Sequence, residues 1–168
     1  MPLNINGYQL ANNGGLTFGS SQTKFDASGR LIMPNMPGFF GSKTDSASIV
    51  RQYPWVINST TFNINSCWNT STGLFTCPAA GLYYTSWGGI NQGSSSGYIG
   101  LVRNGALYTY SHFNTNFAWE NTNLQTIILC SAGDTLGWAI NISPAPDSTT
   151  GAGSYASNHN MSTIWYIG

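Results

Sequence analysis

The sequence predicts an all-β domain, a sandwich or jelly roll of two antiparallel sheets. Short apolar and aromatic runs alternate at regular spacing with segments rich in Gly, Pro, Asn and Ser, which is typical of such folds. No helical hydrophobic period and no internal repeat is visible in the chain. With 168 residues, it is long enough for one domain with a sizeable core plus a short extension.

Residues 73–84 show the strand pattern most clearly. The apolar run 74–77 ends at Pro78, because proline has no N–H to donate to a sheet ladder. Gly81 permits a turn, and a second strand begins at residue 82. Successive side chains of a strand point to opposite faces. The side chains that this alternation predicts to face the core are Phe75, Cys77, Tyr83, Thr85 and Trp87.

The other predicted strands follow from the same signals. Pro54 divides the first two of them, and Asn104-Gly105 is the strongest short hairpin signal in the chain. Residues 124–130 begin with Leu124 and end in the apolar run 127–130, which predicts a buried strand. The predicted strands are 48–53, 55–58, 61–68, 83–90, 98–102, 106–110, 124–130, 135–142 and 161–167.

The composition excludes several function classes. Charged residues are only 6 % of the chain, and five Lys and Arg balance five Asp and Glu. Nucleic-acid binding is excluded because no basic patch could neutralise phosphates. No apolar run approaches the length of a membrane span. Residues 1–15 lack the basic and apolar regions of a secretory signal, so we expect synthesis in a cytosol without export by the usual route.

The three cysteines are predicted to be buried free thiols. If residues 62–68 pair with 74–77, Cys67 lies opposite Phe75 and diagonal to Cys77. Diagonal neighbours are about 7–8 Å apart, which is beyond the usual reach of a disulfide. One bridge plus a lone Cys130 stays open as the alternative.

No motif for catalysis, a metal or a cofactor is present. His112 and His159 lack the spacing of zinc ligands, and the acidic residues form no cluster that suits calcium. All acidic residues except Glu120 lie beside turn residues, where Asp commonly bonds the backbone. We therefore expect no enzyme and no cofactor. A glycosidase site, with Glu120 beside a second carboxylate in a cleft, is the weaker alternative.

A dense aromatic and polar segment follows the Asn104-Gly105 hairpin. Aromatic faces can stack on the apolar faces of sugars while amides bond hydroxyl groups. Packing of the same residues in the core or at a subunit interface is the preferred interpretation, and receptor contact stays open beside it. The candidate receptor contacts are Tyr110, His112, Phe113, Asn114, Asn116, Phe117 and Trp119, with Tyr108 in the same cluster.

The chain also resembles the C1q/TNF-like jelly-roll domains. The signature G-x-F-x-C-P-x-x-G-x-Y-Y is formed by Gly73, Phe75, Cys77, Pro78, Gly81, Tyr83 and Tyr84. Three further features of the family follow in the same order along this chain. They are the central hairpin turn at Arg103-Asn104-Gly105, the entry to a late strand at Leu129 with Gly133-Asp134, and the closing strand 162–167. Thr85 departs from the pattern, because the family usually has an aromatic residue there.

The resemblance implies a compact homotrimer. Three copies would pack aromatic-rich faces around a threefold axis, with the strand 161–167 close to it. The trimer-interface candidates that follow from the resemblance are Tyr83, Trp165 and Tyr166.

Residues 1–37 differ from the head domain 38–168 and are predicted to form an extended N-terminal arm. The arm resembles segments that precede head domains in bacteriophage tail-fibre and related virion proteins; a leader that packs on nothing is the alternative. We expect a tail-fibre tip or adhesin at the virion surface. Its head would bind a host surface glycan or receptor, and its arm would join other virion structural proteins. The rival hypothesis is a trimeric capsid decoration or joining protein.

Overall fold

A computed structural model of the chain describes residues 3–5, 8–10, 16–18, 23–25, 28, 31–32, 36–44, 47–48, 53–91, 95–115, 120–140, 154–155 and 160–168. The chain divides into two units, Met1–Met36 and Pro37–Gly168. In the described part, every regular element is a β-strand.

The first unit contains short strands that pair antiparallel with their neighbours in sequence order. The sequence predicts separate extended pieces in an arm, including residues 16–18. The structure contains that strand and pairs the pieces into a sheet, which satisfies backbone groups that a lone extended segment would leave to water. The strands are β1 (Leu3–Ile5), β2 (Tyr8–Leu10), β3 (Leu16–Phe18), β4 (Thr23–Phe25) and β5 (Leu31–Ile32).

The second unit is a sandwich of two antiparallel sheets, which confirms the predicted fold class. Its strands are β6 (Gly38–Lys43), β7 (Ala47–Ser48), β8 (Ser59–Ile64), β9 (Trp68–Asn69), β10 (Leu74–Thr76), β11 (Gly81–Asn91), β12 (Ser95–Arg103), β13 (Ala106–Thr115), β14 (Glu120–Cys130), β15 (Thr135–Ile140), β16 (Ser154–Tyr155) and β17 (Asn160–Tyr166). The smaller sheet has the order β13-β12-β15-β10-β9. The larger sheet has the order β14-β11-β17-β6-β8, with β16 and β7 as a short extension beside β11.

The core lies between these two sheets. The larger sheet contributes Phe39, Trp87 and Ile164, and the smaller sheet contributes Leu101 and Trp138. The five side chains predicted to face the core around residues 73–87 are all fully buried. The alternation in this segment is therefore confirmed.

The bend between β10 and β11 carries the chain from one sheet to the other. Pro78 follows β10, and β11 begins at Gly81, whose φ of 147° favours glycine. The two strands are neighbours in sequence but belong to different sheets. Their core-facing side chains therefore meet across the sandwich, and Phe75 contacts Tyr83 with ring centroids 5.9 Å apart.

The supposed pairing of residues 62–68 with 74–77 holds only at its far end, where Trp68 and not Cys67 lies opposite Phe75. Strand β8 pairs with β6 in the larger sheet, while Trp68 in β9 lies opposite Phe75 in β10. Asn65 and Ser66 adopt left-handed φ values of 61° and 52°, so the chain turns between the sheets there. The three thiols are nevertheless free and buried, which confirms the preferred interpretation.

Two other strand predictions need correction. Residues 55–58 form no strand, although Trp55 and Ile57 are buried as alternation predicts; the Trp55 N–H bonds Trp138 O, but no ladder continues from it. Of residues 48–53, Ser48 ends β7, Tyr53 lies in a bend, and 49–52 lie outside the described residues.

The Asn104-Gly105 hairpin is confirmed. Both residues have positive φ, 51° and 81°, as the two-residue turn that suits twisted strands requires. The hairpin joins β12 to β13, with Arg103 opposite Ala106.

Candidate binding surfaces

Strand β13 exposes an aromatic strip, which we define as Tyr108, Tyr110 and His112. Period-two alternation points these side chains away from the core, and Tyr108 and Tyr110 are 50 % and 43 % exposed. In the described part of the chain β13 pairs only with β12. The strip therefore lies on the edge strand of the smaller sheet.

Residues of the neighbouring strand β12 pack against the aromatic strip. Tyr110 lies opposite Gly100, and His112 lies opposite Tyr98. The buried Tyr98 ring contacts the Tyr110 ring edge to face, with centroids 5.5 Å apart. A side chain at Gly100 would collide with Leu107, since its Cβ would lie 2.5 Å from Leu107 Cδ1. This packing orients the aromatic rings before any ligand binds.

The structure separates the predicted receptor contacts. Tyr110 and His112 are exposed, whereas Phe113 is buried in the core and offers no surface to a receptor. Phe113 is therefore a correction: strand alternation turns it inward, although its neighbour points outward. Asn114 belongs to β13, but its side chain lies outside the described residues, as do Asn116, Phe117 and Trp119.

The larger sheet exposes a second apolar surface on the side away from the core. Leu82 of β11 is 42 % exposed, and Ile127 and Leu129 of β14 are 54 % and 64 % exposed. Leu82 lies opposite Leu129, and Tyr84 lies opposite Ile127. We call these four residues, with Trp165 beside Tyr84 in β17, the outer apolar face.

This surface corrects the prediction that residues 124–130 form a buried strand. Ile128 and Cys130 face the core, while Ile127 and Leu129 face outward. The outward residues are as apolar as the inward ones, so the sequence hides the alternation. A large solvent-exposed apolar surface of this kind is typical of a site where another molecule binds.

A shallow depression adjoins the outer apolar face. It has a volume of about 160 Å³ and is lined by residues of β6, β11 and β17, among them Phe40, Gly88 and Met161. A Cβ added at Gly88 would meet no atom within 4 Å. The depression exists because Gly88 has no side chain, and a protruding side chain could enter it.

The three predicted trimer-interface residues have different environments. Trp165 is partly exposed beside the depression, and its ring packs on Phe62 at 4.9 Å. Tyr166 is half-buried and packs on Tyr83 at 5.3 Å. Tyr83 is fully buried within the single chain, and its hydroxyl donates to Ala79 O at 2.8 Å. Tyr83 therefore leaves no surface for a neighbouring subunit and is corrected to a core residue.

No catalytic arrangement is assembled by the side chains that the structure describes. Asp134 is bound by Asn104 and Arg103 in a turn. Hydrogen bonds from Asn104 and from the Ser131 N–H, together with Arg103, lower the pKa of Asp134. Glu120 opens β14 opposite Asn91, but its side chain lies outside the described residues. Within the described ranges, no group of three or more His, Cys, Asp and Glu could hold a metal ion.

The structure also describes no helix with the length and apolar character needed to cross a membrane.

Known structures with the same fold were found by comparison. The globular domain of zebrafish complement 1qA is 14 % identical, with a TM-score of 0.58, and the match covers 79 % of this chain and 98 % of that one. Murine APRIL at pH 5.0 is 9 % identical, with a TM-score of 0.57 and coverage of 79 % and 99 %. At such identities the likeness shows the fold alone. No curated protein matches the chain.

The structural matches show the fold, and a match to a protein-family model identifies the family. The C1q domain model matches residues 39–138, a range that contains the signature at 73–84, the Asn104-Gly105 hairpin and the Gly133-Asp134 turn. The match extends over more than half of the chain. The chain belongs to the C1q domain family.

Proposed function

We propose that the chain is a homotrimeric, non-enzymatic binding module whose outer apolar face packs around a threefold axis. The exposure of Leu82, Ile127 and Leu129 in one chain carries this proposal. Burying apolar surface contributes about 25 cal/mol per Å², so covering this face stabilises an assembly. C1q/TNF-like domains are typically trimeric, and they generally bind partners rather than catalyse reactions.

The low charge of the chain supports self-association. Only 6 % of residues are charged, and the cores of subunit interfaces are depleted of charge. In the outer apolar face, five apolar or aromatic side chains meet without a charged residue between them. A second copy of the same chain provides a surface of matching character, and rotational symmetry lets every copy bury it.

The trimer is tested by measuring solution mass with light scattering. We expect about three times the 18.0 kDa of one chain, or roughly 54 kDa by closed threefold assembly. Gly88→Arg fills the depression with a charged side chain, at a site where a Cβ meets nothing within the chain. This variant should fold and run as a monomer. Tyr108→Arg, on the opposite sheet, is the matched control and should remain trimeric.

Two results would contradict the assembly. One is a monomeric wild type at micromolar concentration. The other is a protein that remains trimeric with Gly88→Arg and also with Leu129→Arg, which places a charge within the outer apolar face itself, because that result would place the interface on another face of the sandwich.

We further propose that the aromatic strip contacts a host surface receptor, and that this receptor is a glycan. Tyr108 and Tyr110 present apolar ring faces with polar hydroxyl groups, a combination that suits sugars. Three linked copies would raise avidity even if each contact is weak.

The location that fits this role is the surface of a virion, as a bacteriophage tail-fibre tip or adhesin. The proposal is supported by the resemblance of residues 1–37 to segments that precede tail-fibre head domains. In it, the first unit joins the head to other virion structural proteins. A capsid decoration or joining protein is the competing role, and it differs in the partner that the trimer binds.

Receptor binding is tested with fluorescently tagged trimer on a panel of intact bacterial strains. We expect saturable binding to some strains, inhibition of infection by the free protein, and at least tenfold weaker binding by Tyr110→Ala. Thr109→Ala, at the adjacent half-buried position of β13, is the control that leaves the strip intact. A folded trimer that binds no strain but binds purified capsids or tails would favour decoration instead.

A further inference from the structure

Cys77 and Cys130 belong to the same buried core cluster, and they lie close enough for each thiol to shift the pKa of the other. Cys77 follows β10 in the smaller sheet, and Cys130 ends β14 at the edge of the larger sheet. Both side chains are buried. The pair therefore bridges the two layers of the sandwich at one end.

Main-chain hydrogen bonds hold the segments that carry this pair. The Cys77 N–H donates to Asp134 O at 2.8 Å, and the Gly133 N–H donates to Cys77 O at 2.8 Å. Gly133 and Asp134 belong to the turn that directly follows Cys130. The backbone of Cys77 is thus hydrogen-bonded to the turn that follows Cys130.

The third thiol is differently placed. Cys67 Sγ contacts Asn65 O at 3.8 Å, and the Cys67 carbonyl accepts a bond from the Thr76 N–H. Cys77 and Cys130 are each among the groups that shift the pKa of the other, whereas Cys67 shifts the pKa of neither. Proximity between thiols therefore favours one of the three possible pairings.

We propose that Cys77 and Cys130 are a disulfide-forming pair that a low-molecular-weight disulfide, such as oxidised glutathione, closes into a covalent staple between the two sheets. One cysteine, as thiolate, attacks a sulfur of the oxidised glutathione, forms a mixed disulfide and releases one glutathione thiolate. The second cysteine thiolate then displaces the other glutathione. Two protein thiols lose two protons and two electrons, and one glutathione disulfide becomes two thiols.

The environment of the pair sets the conditions for this reaction. Desolvation by burial raises the pKa of Cys77, and neighbouring Cys130 raises it further; desolvation is also the main reason that the pKa of Cys130 is raised. Only the thiolate attacks a disulfide, so closure should accelerate as pH rises from 7 to 9. Because the thiols are buried, the reaction also requires local opening.

The test uses the folded full-length protein, incubated with oxidised glutathione at pH 7 and pH 9. Free thiols are then blocked by acid quench and alkylation, and peptides are mapped by mass spectrometry. We expect one cross-linked peptide pair containing Cys77 and Cys130, with Cys67 alkylated. The long loop that the bridge closes should raise Tm by roughly 10 °C, and dithiothreitol should reverse the shift.

Cysteine-to-serine variants show which two thiols form the cross-link. Cys67→Ser should retain both the cross-link and the Tm shift, whereas Cys130→Ser should lose both. Cys77→Ser serves as the second test if Cys130→Ser does not fold. A Cys67–Cys77 cross-link, a stable glutathione adduct without a bridge, or no oxidation up to the onset of melting would each overturn the pairing.

Discussion

The guanidinium of Arg103 lies 2.6 Å from the carboxylate of Asp134, and this pair ties together two turns that are distant in sequence. Arg103 precedes the hairpin between β12 and β13, while Asp134 closes the turn between β14 and β15. Asn104 reinforces the link, since its amide donates to Asp134 Oδ1 at 2.7 Å and its Oδ1 accepts from the Thr135 N–H at 2.8 Å. The Ser131 N–H donates to the same carboxylate.

This network predicts a pH dependence of stability. The pKa of Asp134 is lowered in the fold, chiefly by the hydrogen bond from Asn104. The carboxylate therefore stabilises the folded state above its ordinary pKa of 3.8, and this contribution is lost as pH falls through the folded pKa. We expect the urea midpoint of the wild type to exceed that of Asp134→Asn at pH 7. The difference should shrink below pH 3.8.

Glu120→Gln is the charge-matched control for this measurement, because it removes one carboxylate at the opposite end of β14 from the turn that contains Asp134. If the difference in urea midpoint between wild type and Asp134→Asn stays constant from pH 7 to pH 3, the ionised form of the Asp134 carboxylate does not stabilise the turn.

The adjacent glycines Gly88 and Gly89 should respond oppositely to alanine. A Cβ at Gly89 would lie 2.5 Å from Asn160 Oδ1 and 2.6 Å from the Trp87 ring, whereas a Cβ at Gly88 would meet nothing. Overpacking in a core costs about 1–3 kcal/mol. We expect Gly89→Ala to lower the unfolding free energy by that amount and Gly88→Ala to leave it nearly unchanged, as measured by urea titration. Equal effects of the two would contradict the assigned facing of β11.

Tyr83→Phe should weaken the fold without weakening the trimer. The substitution keeps the ring that packs on Phe75 and Tyr166 but removes the hydroxyl bond to Ala79 O. A hydrogen bond of this kind contributes about 1 kcal/mol. Thermal melting should report the loss, while light scattering should report an unchanged mass. Dissociation at unchanged stability would return Tyr83 to the interface.

Trp68→Phe tests the stack beneath β6. The Trp68 ring lies 4.2 Å from the Phe39 ring, and its indole N–H donates to Ile57 O at 3.0 Å. Phenylalanine preserves most of the stacking but leaves that buried carbonyl without its donor, which costs about 1–3 kcal/mol. Urea titration should show the loss. Substitution of the half-buried Phe62 by Leu is the comparison, and it should cost less.

The sequence predicts those parts of the fold in which local chemistry and burial agree. Tyr83, Thr85 and Trp87 alternate with less buried residues, so their inward facing can be read directly. Asn104-Gly105 requires left-handed backbone and marks its own turn. Neither inference depends on contacts with distant parts of the chain.

The wrong predictions concern residues whose facing or pairing depends on contacts with distant parts of the chain. Ile127 and Leu129 are apolar whether they face the core or a partner, so hydrophobicity could not assign their face. Phe113 is aromatic like its exposed neighbours, so residue type could not show that strand alternation turns it inward while His112 faces outward. The turn at Asn65 and Ser66 moves the chain between sheets, a change that an uninterrupted alternation through residues 61–68 conceals.

The position of β17 between β11 and β6 also governs how the chain must fold. Thr163 in β17 bonds Phe39 in β6, which lies 124 residues earlier. Strands β6 and β11 therefore have open edges until residues 160–166 have been synthesised and have inserted between them. Such distant pairing is slow, typically milliseconds to seconds, and open edges can pair with other chains. Ribosome-bound chains that end before residue 160 would thus hold an incomplete larger sheet, and sheet closure would follow synthesis of β17.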